Sequence, residues 1–171
     1  WGNKLKIHKP AAEYGNMQLG MPYVEISAPK ASSKKIARFY QEILGAKVST
    51  NLRHGAPCAS ITTGAAQFIH FVETDIPQPD YDGHHVAIYI ADFATPYRKL
   101  HERDLISRES DEHEWRFIDV IDLDTSETIF QIEHEVRSVT HPLYARPLVN
   151  RNPAQTNRSY RRGQDGFLGE I

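Results

Sequence analysis

The sequence predicts an α+β domain made of two copies of one βαβββ module, and three observations carry that prediction. In each half of the chain the hydrophobic period runs from two residues to about 3.6 and back to two, the change from strand to helix to strand. The halves are in register: Val24 and Ile26 match Val86 and Ile88 at an offset of 62 residues, and Phe68-Ile69-His70 resembles Gln131-Ile132-Glu133 at an offset of 63. A Pro-rich connector over 75–83 ends the first set of signals just before the second begins.

In the first module, 21–74, Tyr23-Val-Glu-Ile-Ser27 alternates polar and apolar residues, so Val24 and Ile26 share one face of a strand. Ser32 and Ser33 are candidate caps for a helix whose apolar stripe is Ile36, Phe39, Tyr40, Ile43 and Leu44, with Gly45 placed to stop it. Strands are predicted at Ala46–Thr50, Cys58–Thr62 and Gln67–Glu73, separated by turn signals at His54-Gly-Ala-Pro57 and Thr63-Gly64. In the second module, 84–136, His85–Ile90 is a strand with Val86, Ile88 and Ile90 on one face. Thr95 is placed to cap a short helix with Pro96 at its first position, and Tyr97 and Leu100 point inward. Strands follow at Leu105–Glu109, Trp115–Ile121 and Ile129–Val136, with the acidic stretch 109–114 as a solvated hairpin loop. Each sheet gives one apolar face to its helix, so two modules side by side leave the other strand faces to line a shared trough.

Composition narrows the function classes. With 171 residues, 40% of them hydrophobic and 25% charged, the chain is a folded domain rather than a disordered one. A formal charge of -2 gives no field for nucleic acid or anionic membranes. The single cysteine, Cys58, has no CxxC partner and reads as a small buried thiol. No apolar run approaches the ~20 residues of a membrane helix, and the expectation is a cytoplasmic protein with neither membrane nor nucleic-acid partners. The opening Trp1-Gly-Asn leaves room for an upstream segment. Residues 1–20 show no sustained period and read as an irregular lead-in draped over the domain. Residues 137–171 carry six arginines and three prolines, an extended tail whose Val139, Leu143, Tyr144, Leu148 and Val149 suit contact with a partner subunit or with its own sheet. A homodimer is expected.

Two paired modules of this length, the helix ending Arg38-Phe-Tyr-Gln-Glu-Ile-Leu-Gly45 and the strand His84-His-Val-Ala-Ile-Tyr-Ile-Ala-Asp92 resemble the vicinal oxygen chelate superfamily, which includes glyoxalase I, extradiol dioxygenases and bleomycin-resistance proteins. The resemblance covers 21–136 and implies one glyoxalase-like domain. Such proteins place metal ligands on the first and last strand of each module, usually His on the first and Glu on the last. The second module has both, His85 and Glu133; the first departs from the pattern, with Tyr23 and Glu25 on its first strand and His70 on its last. The resemblance therefore implies His70, His85 and Glu133 as ligands of one divalent ion (Fe, Mn, Ni or Zn), with Glu25 a fourth. Glu25 or Glu133 is then the candidate catalytic base.

By strand alternation, Tyr23, Phe68, Tyr89, Trp115, Phe117, Asp119 and Gln131 are the expected substrate-binding lining, substantially aromatic. His84 and His134 lie on the opposite strand face and read as structural. The leading expectation is a metal-dependent dioxygenase, lyase or isomerase acting on a small oxygen-bearing substrate. The alternative is a metal-free small-molecule binding protein of the bleomycin-resistance type, which the departure at Tyr23 favours.

Overall fold

The computed structural model describes residues 3–17, 20–147 and 149–166. Leu148, one of the expected tail contacts, lies outside the described residues. The first module consists of β1 (Tyr23–Pro29), α1 (Ser33–Glu42), β2 (Val48–Arg53), β3 (Ala56–Gly64) and β4 (Gln67–Thr74). The second consists of β5 (His85–Ile90), α2 (Ala94–His101), β6 (Ile106–Asp111), β7 (Glu114–Ile121) and β8 (Thr128–Ser138). Each module forms a four-stranded sheet, ordered β1-β4-β3-β2 and β5-β8-β7-β6. The first strand of each runs parallel to the last and the other pairs are antiparallel. The predicted repeat is thus present as a two-module α+β domain.

Local chemistry sets the boundaries. The β2–β3 hairpin turns at His54 (φ 53°) and Gly55 (φ 82°), two consecutive left-handed residues that match the twist of the strands they join. Neither helix is capped by its nearest hydroxyl. At α1, Glu73 on β4 accepts hydrogen bonds from the backbone N–H groups of Ala31 (2.8 Å) and Ser33 (2.9 Å). At α2, Asp92 rather than Thr95 takes this role, accepting from Thr95 N–H at 3.1 Å. Burial works against ionisation of Glu73, but the bonds from Ser33 and Ala31 outweigh it and hold the carboxyl below its ordinary value. Glu73→Ala is expected to cost about 1 kcal/mol, the usual effect of losing an N-terminal cap, and hence to lower the midpoint of thermal unfolding by ~2–4 °C. An unchanged midpoint would remove Glu73 from this role.

The core explains how the modules meet. Helix α1 is amphipathic, yet its buried residues serve two sheets. Ile36, Phe39, Tyr40 and Ile43 are all at most 2% exposed. On one side they meet Ile61, Ile69 and Phe71 of the first sheet. On the other, Phe39 packs on Phe117 (ring centroids 5.9 Å) and Tyr40 hydrogen-bonds His134 (2.5 Å), both on the second sheet. Phe71 also meets Phe130 directly, with ring centroids 5.5 Å apart. Burying an Ile or Phe side chain is worth roughly 1.5–3 kcal/mol, so this helix is the main apolar joint between the modules. The predicted register holds: Ile26, Val86 and Ile88 pack toward this core, and Glu25 and His85 lie on the other strand faces. The polar faces that the sequence places along one trough are, within a single chain, carried on separate sheets with α1 between them.

The terminal segments lie on these polar faces. In the lead-in, His8 Nε2 is 2.9 Å from the Tyr23 hydroxyl, and the Tyr14 hydroxyl is 2.8 Å from His8 Nδ1. In the tail, Tyr144 packs against Tyr89 (5.4 Å), so this stretch rests on its own sheet. Beyond it, Asn152 and Gln155 are buried and bond the backbone at Gln164 and Arg161. Among the described residues no helix is long and apolar enough to cross a membrane.

Candidate functional site

On the first sheet, alternation aims Tyr23 and Glu25 of β1, Ser60 of β3, and Phe68 and His70 of β4 at one face. Tyr23, Phe68 and His70, together with His8, Tyr14, Arg53 and His54, bound a cleft of about 330 Å³. His70, only 9% exposed, stacks on Phe68 (centroids 5.6 Å, planes 13° apart) and lies 5.6 Å from the Tyr23 ring. Its Nδ1 is 2.9 Å from Ser60 Oγ. Burial, with Arg53 nearby, holds the imidazole below its ordinary pKa, so it is neutral at pH 7. Glu25 sits directly across from His70 on the neighbouring strand, but its carboxylate accepts from Arg53 Nε (2.5 Å) and His54 Nε2 (3.1 Å). Burial opposes ionisation of Glu25; the bonds from Arg53 and His54 prevail and lower its pKa. The Arg53 guanidinium also lies over the Tyr23 ring, 4.7 Å from its centroid.

The second sheet presents a different surface. His85 faces Glu133 across β5 and β8, as expected, and its Nε2 is 3.9 Å from Glu135. The carboxylates there are held by arginines. Arg116 reaches Glu133 (3.1 Å), Glu114 (3.0 Å) and Glu135 (2.8 Å), and Arg137 binds Glu114, Glu135 and the Tyr89 hydroxyl. Asp119 and Gln131 pair with each other at 2.8 Å near the end of this face.

Two expected lining residues belong elsewhere. Trp115 (3% exposed) and Phe117 (0%) are core residues: Phe117 stacks on His134 (4.1 Å, 6°) and Trp115 packs between Phe93 and Tyr97. The physical reason is a β-bulge between Phe117 and Asp119, which shifts the alternation so that Phe117 and Asp119 no longer share a face. With Trp115 inward, Glu114 and Arg116 must point outward, and these two residues, with Glu135 and Arg137, are absent from the set that the sequence predicts. Period two from Glu133 leads straight to Glu135 and Arg137. Arg53 and His8 carry no such signal, since one ends a strand and the other belongs to an aperiodic segment.

The geometry gives the ion-binding set a direct test. It brings Glu25 together with His70 and His85 together with Glu133, but the two pairs are on different sheets. Among the described residues no group of three or more His, Cys, Asp or Glu side chains converges as a metal site requires. Both candidate carboxylates are already neutralised by guanidinium groups, so the residues of one chain do not fit a divalent ion.

No family model matches the sequence, and no curated protein matches it. Solved structures do. A protein assigned to the glyoxalase family from Bacillus anthracis is 20% identical, with a TM-score of 0.51 over 72% of this chain and 97% of its own. Oxidase ChaP-H2 is 17% identical, covering 71% and 94% of the two chains with a TM-score of 0.49. The fosfomycin resistance protein FosX from Listeria monocytogenes is 13% identical, covering 71% and 92% with a TM-score of 0.48. At 20% identity the likeness to the first of these is one of fold, and that fold is glyoxalase-like.

Proposed function

We propose that the protein binds a small, flat, oxygen-bearing organic molecule in the cleft on the first sheet, without a metal ion. The observation that supports this reading is the pairing of each candidate carboxylate ligand with an arginine, Glu25 with Arg53 and Glu133 with Arg116, beside a cleft whose walls are aromatic. Tyr23 and Phe68 offer ring faces for stacking. Neutral His70, oriented by Ser60, supplies a hydrogen bond to a ligand oxygen, and His8 and Tyr14 close the cleft from the lead-in.

The test uses 4-nitrocatechol, whose absorption reports its surroundings, with catechol and benzoate as competitors. A saturable spectral shift that survives EDTA and weakens at least tenfold in Phe68→Ala is the expected result. Absence of saturable binding by all three compounds would overturn it. A second reading, the metal-dependent enzyme, has its own observation: each sheet carries one imidazole beside one carboxylate. Three donors could then meet only where the first sheet of one chain faces the second sheet of another, which ties that reading to a homodimer. Loading with Fe(II), Mn(II), Ni(II) or Zn(II) and desalting is expected to leave well under one equivalent per chain. One retained equivalent, lost in both His70→Ala and His85→Ala, selects the enzyme instead.

A further inference from the structure

The second cleft lies on the opposite side of the sheets, between the modules. It has a volume of about 440 Å³, within the range of small-molecule sites. Its origin is local. Helix α1 ends at Glu42 and the chain turns away at Gly45 (φ 67°), while α2 starts only at Ala94. The inner face of β5 therefore has no helix over its final residues. Ile88 and Ile90 point inward like Phe117 and Val136, yet they stay only partly buried where those two are fully buried. They face Ile43 and Leu44 at the end of α1 and Ile61 of β3, so the floor is a set of branched aliphatic side chains.

The rim is cationic. Lys47 and Lys99 both border the opening, and neither makes an ion pair among the described residues. Among the described residues, Lys99 Nζ donates only to the Glu42 backbone carbonyl. The one carboxylate on the rim among the described residues, Asp92, is engaged by the Thr95 backbone N–H, which with neighbouring hydrogen bonds lowers its pKa. An aliphatic floor beneath two lysines fits one ligand chemistry: an alkyl chain ending in an anion. We propose that this cleft binds a medium-chain fatty carboxylate, its chain against Ile61, Ile88 and Ile90 and its carboxylate at Lys47 and Lys99. The apolar contacts supply most of the affinity and the lysines select the head group. This site shares no residue with the aromatic cleft on the first sheet and stands or falls without it.

Calorimetry with dodecanoate, below the concentration at which it aggregates, tests the proposal on the full chain. One site per chain with a micromolar Kd is expected. Dodecyltrimethylammonium, with the same tail and the opposite charge, is expected to bind at least tenfold more weakly. The double variant Lys47→Glu/Lys99→Glu, both positions on the rim, is expected to weaken dodecanoate at least tenfold. Ile90→Trp, which fills the floor, is expected to abolish binding, with its circular dichroism and thermal midpoint checked for folding. Absence of saturable heat overturns the proposal, as does equal affinity for the cationic amphiphile. Undiminished affinity in the lysine variant also overturns it, because the ligand must then lie elsewhere.

Discussion

Replacing Arg116 with alanine is expected to destabilise the fold by about 3–5 kcal/mol, the usual cost of removing one partner from a buried charge cluster. Its guanidinium bonds Glu114, Glu133 and Glu135, and the first and last of these side chains are only 9% and 6% exposed. Without Arg116, Glu133 loses its guanidinium partner and Glu114 and Glu135 are left with Arg137. The cluster's own contribution to the pH response should also change sign. In the parent, burial works against ionisation of Glu114, but hydrogen bonds from Ser110 and Arg116 prevail and keep its pKa low. Its contribution is thus present above the unfolded-state pKa of about 4.5 and fades as pH falls through the folded value. In Arg116→Ala, crowded carboxylates take up protons more readily when folded, so the variant's deficit relative to the parent narrows between pH 7 and pH 5. Urea unfolding at the two pH values measures both effects. A loss under 1 kcal/mol would mean that the cluster behaves like an ordinary surface ion pair.

The second large effect is acid sensitivity centred on His134. Its Nδ1–H donates to the Ile132 carbonyl (2.8 Å), which leaves Nε2 as the acceptor for the Tyr40 hydroxyl. Complete burial lowers the imidazole pKa to about 3 and pushes the Tyr40 phenol far above its usual range, so both groups stay neutral. The unfolded chain takes up a proton at about 6.5 where the folded chain does not, so stability is full above that pH and declines below it, until about pH 3. At pH 4.5 the loss from this one group is on the order of 2–3 kcal/mol. Carboxylates contribute as well, so the informative comparison is with His134→Gln, whose stability should fall less between pH 7 and pH 4.5 by that amount. Parallel curves would show that His134 accepts a proton in the folded state.

Most of the architecture was legible because strand and helix periods are local. His85–Ile90 runs between the boundaries its alternation predicts, and α1 arises from one apolar stripe. What that stripe could not reveal is that Phe39 and Tyr40 serve the second sheet, since a stripe records that a face is buried and not against what. The bulge beyond Phe117 escaped for a related reason: an extra residue alters no composition, only the parity of the strand positions after it. Cap partners such as Glu73, forty residues from Ser33 in sequence, are set by tertiary placement. The candidate ligand positions were found on the predicted faces. Their pairing with Arg53 and Arg116 was hidden because alternation names a face, whereas an ion pair depends on which long side chains reach across it.

The placement of α1 between the sheets also bears on how the two halves of the repeat can diverge. A helix that both sheets need fixes the inner faces together, so substitutions at Phe39, Tyr40, Phe117 and His134 constrain one another. The outer faces share no side chain and have no such tie. One carries stacked rings around a neutral imidazole, the other a network of arginine and glutamate. The duplicated fold thus carries two surfaces that selection can alter one at a time, each on a scaffold that the other half keeps rigid.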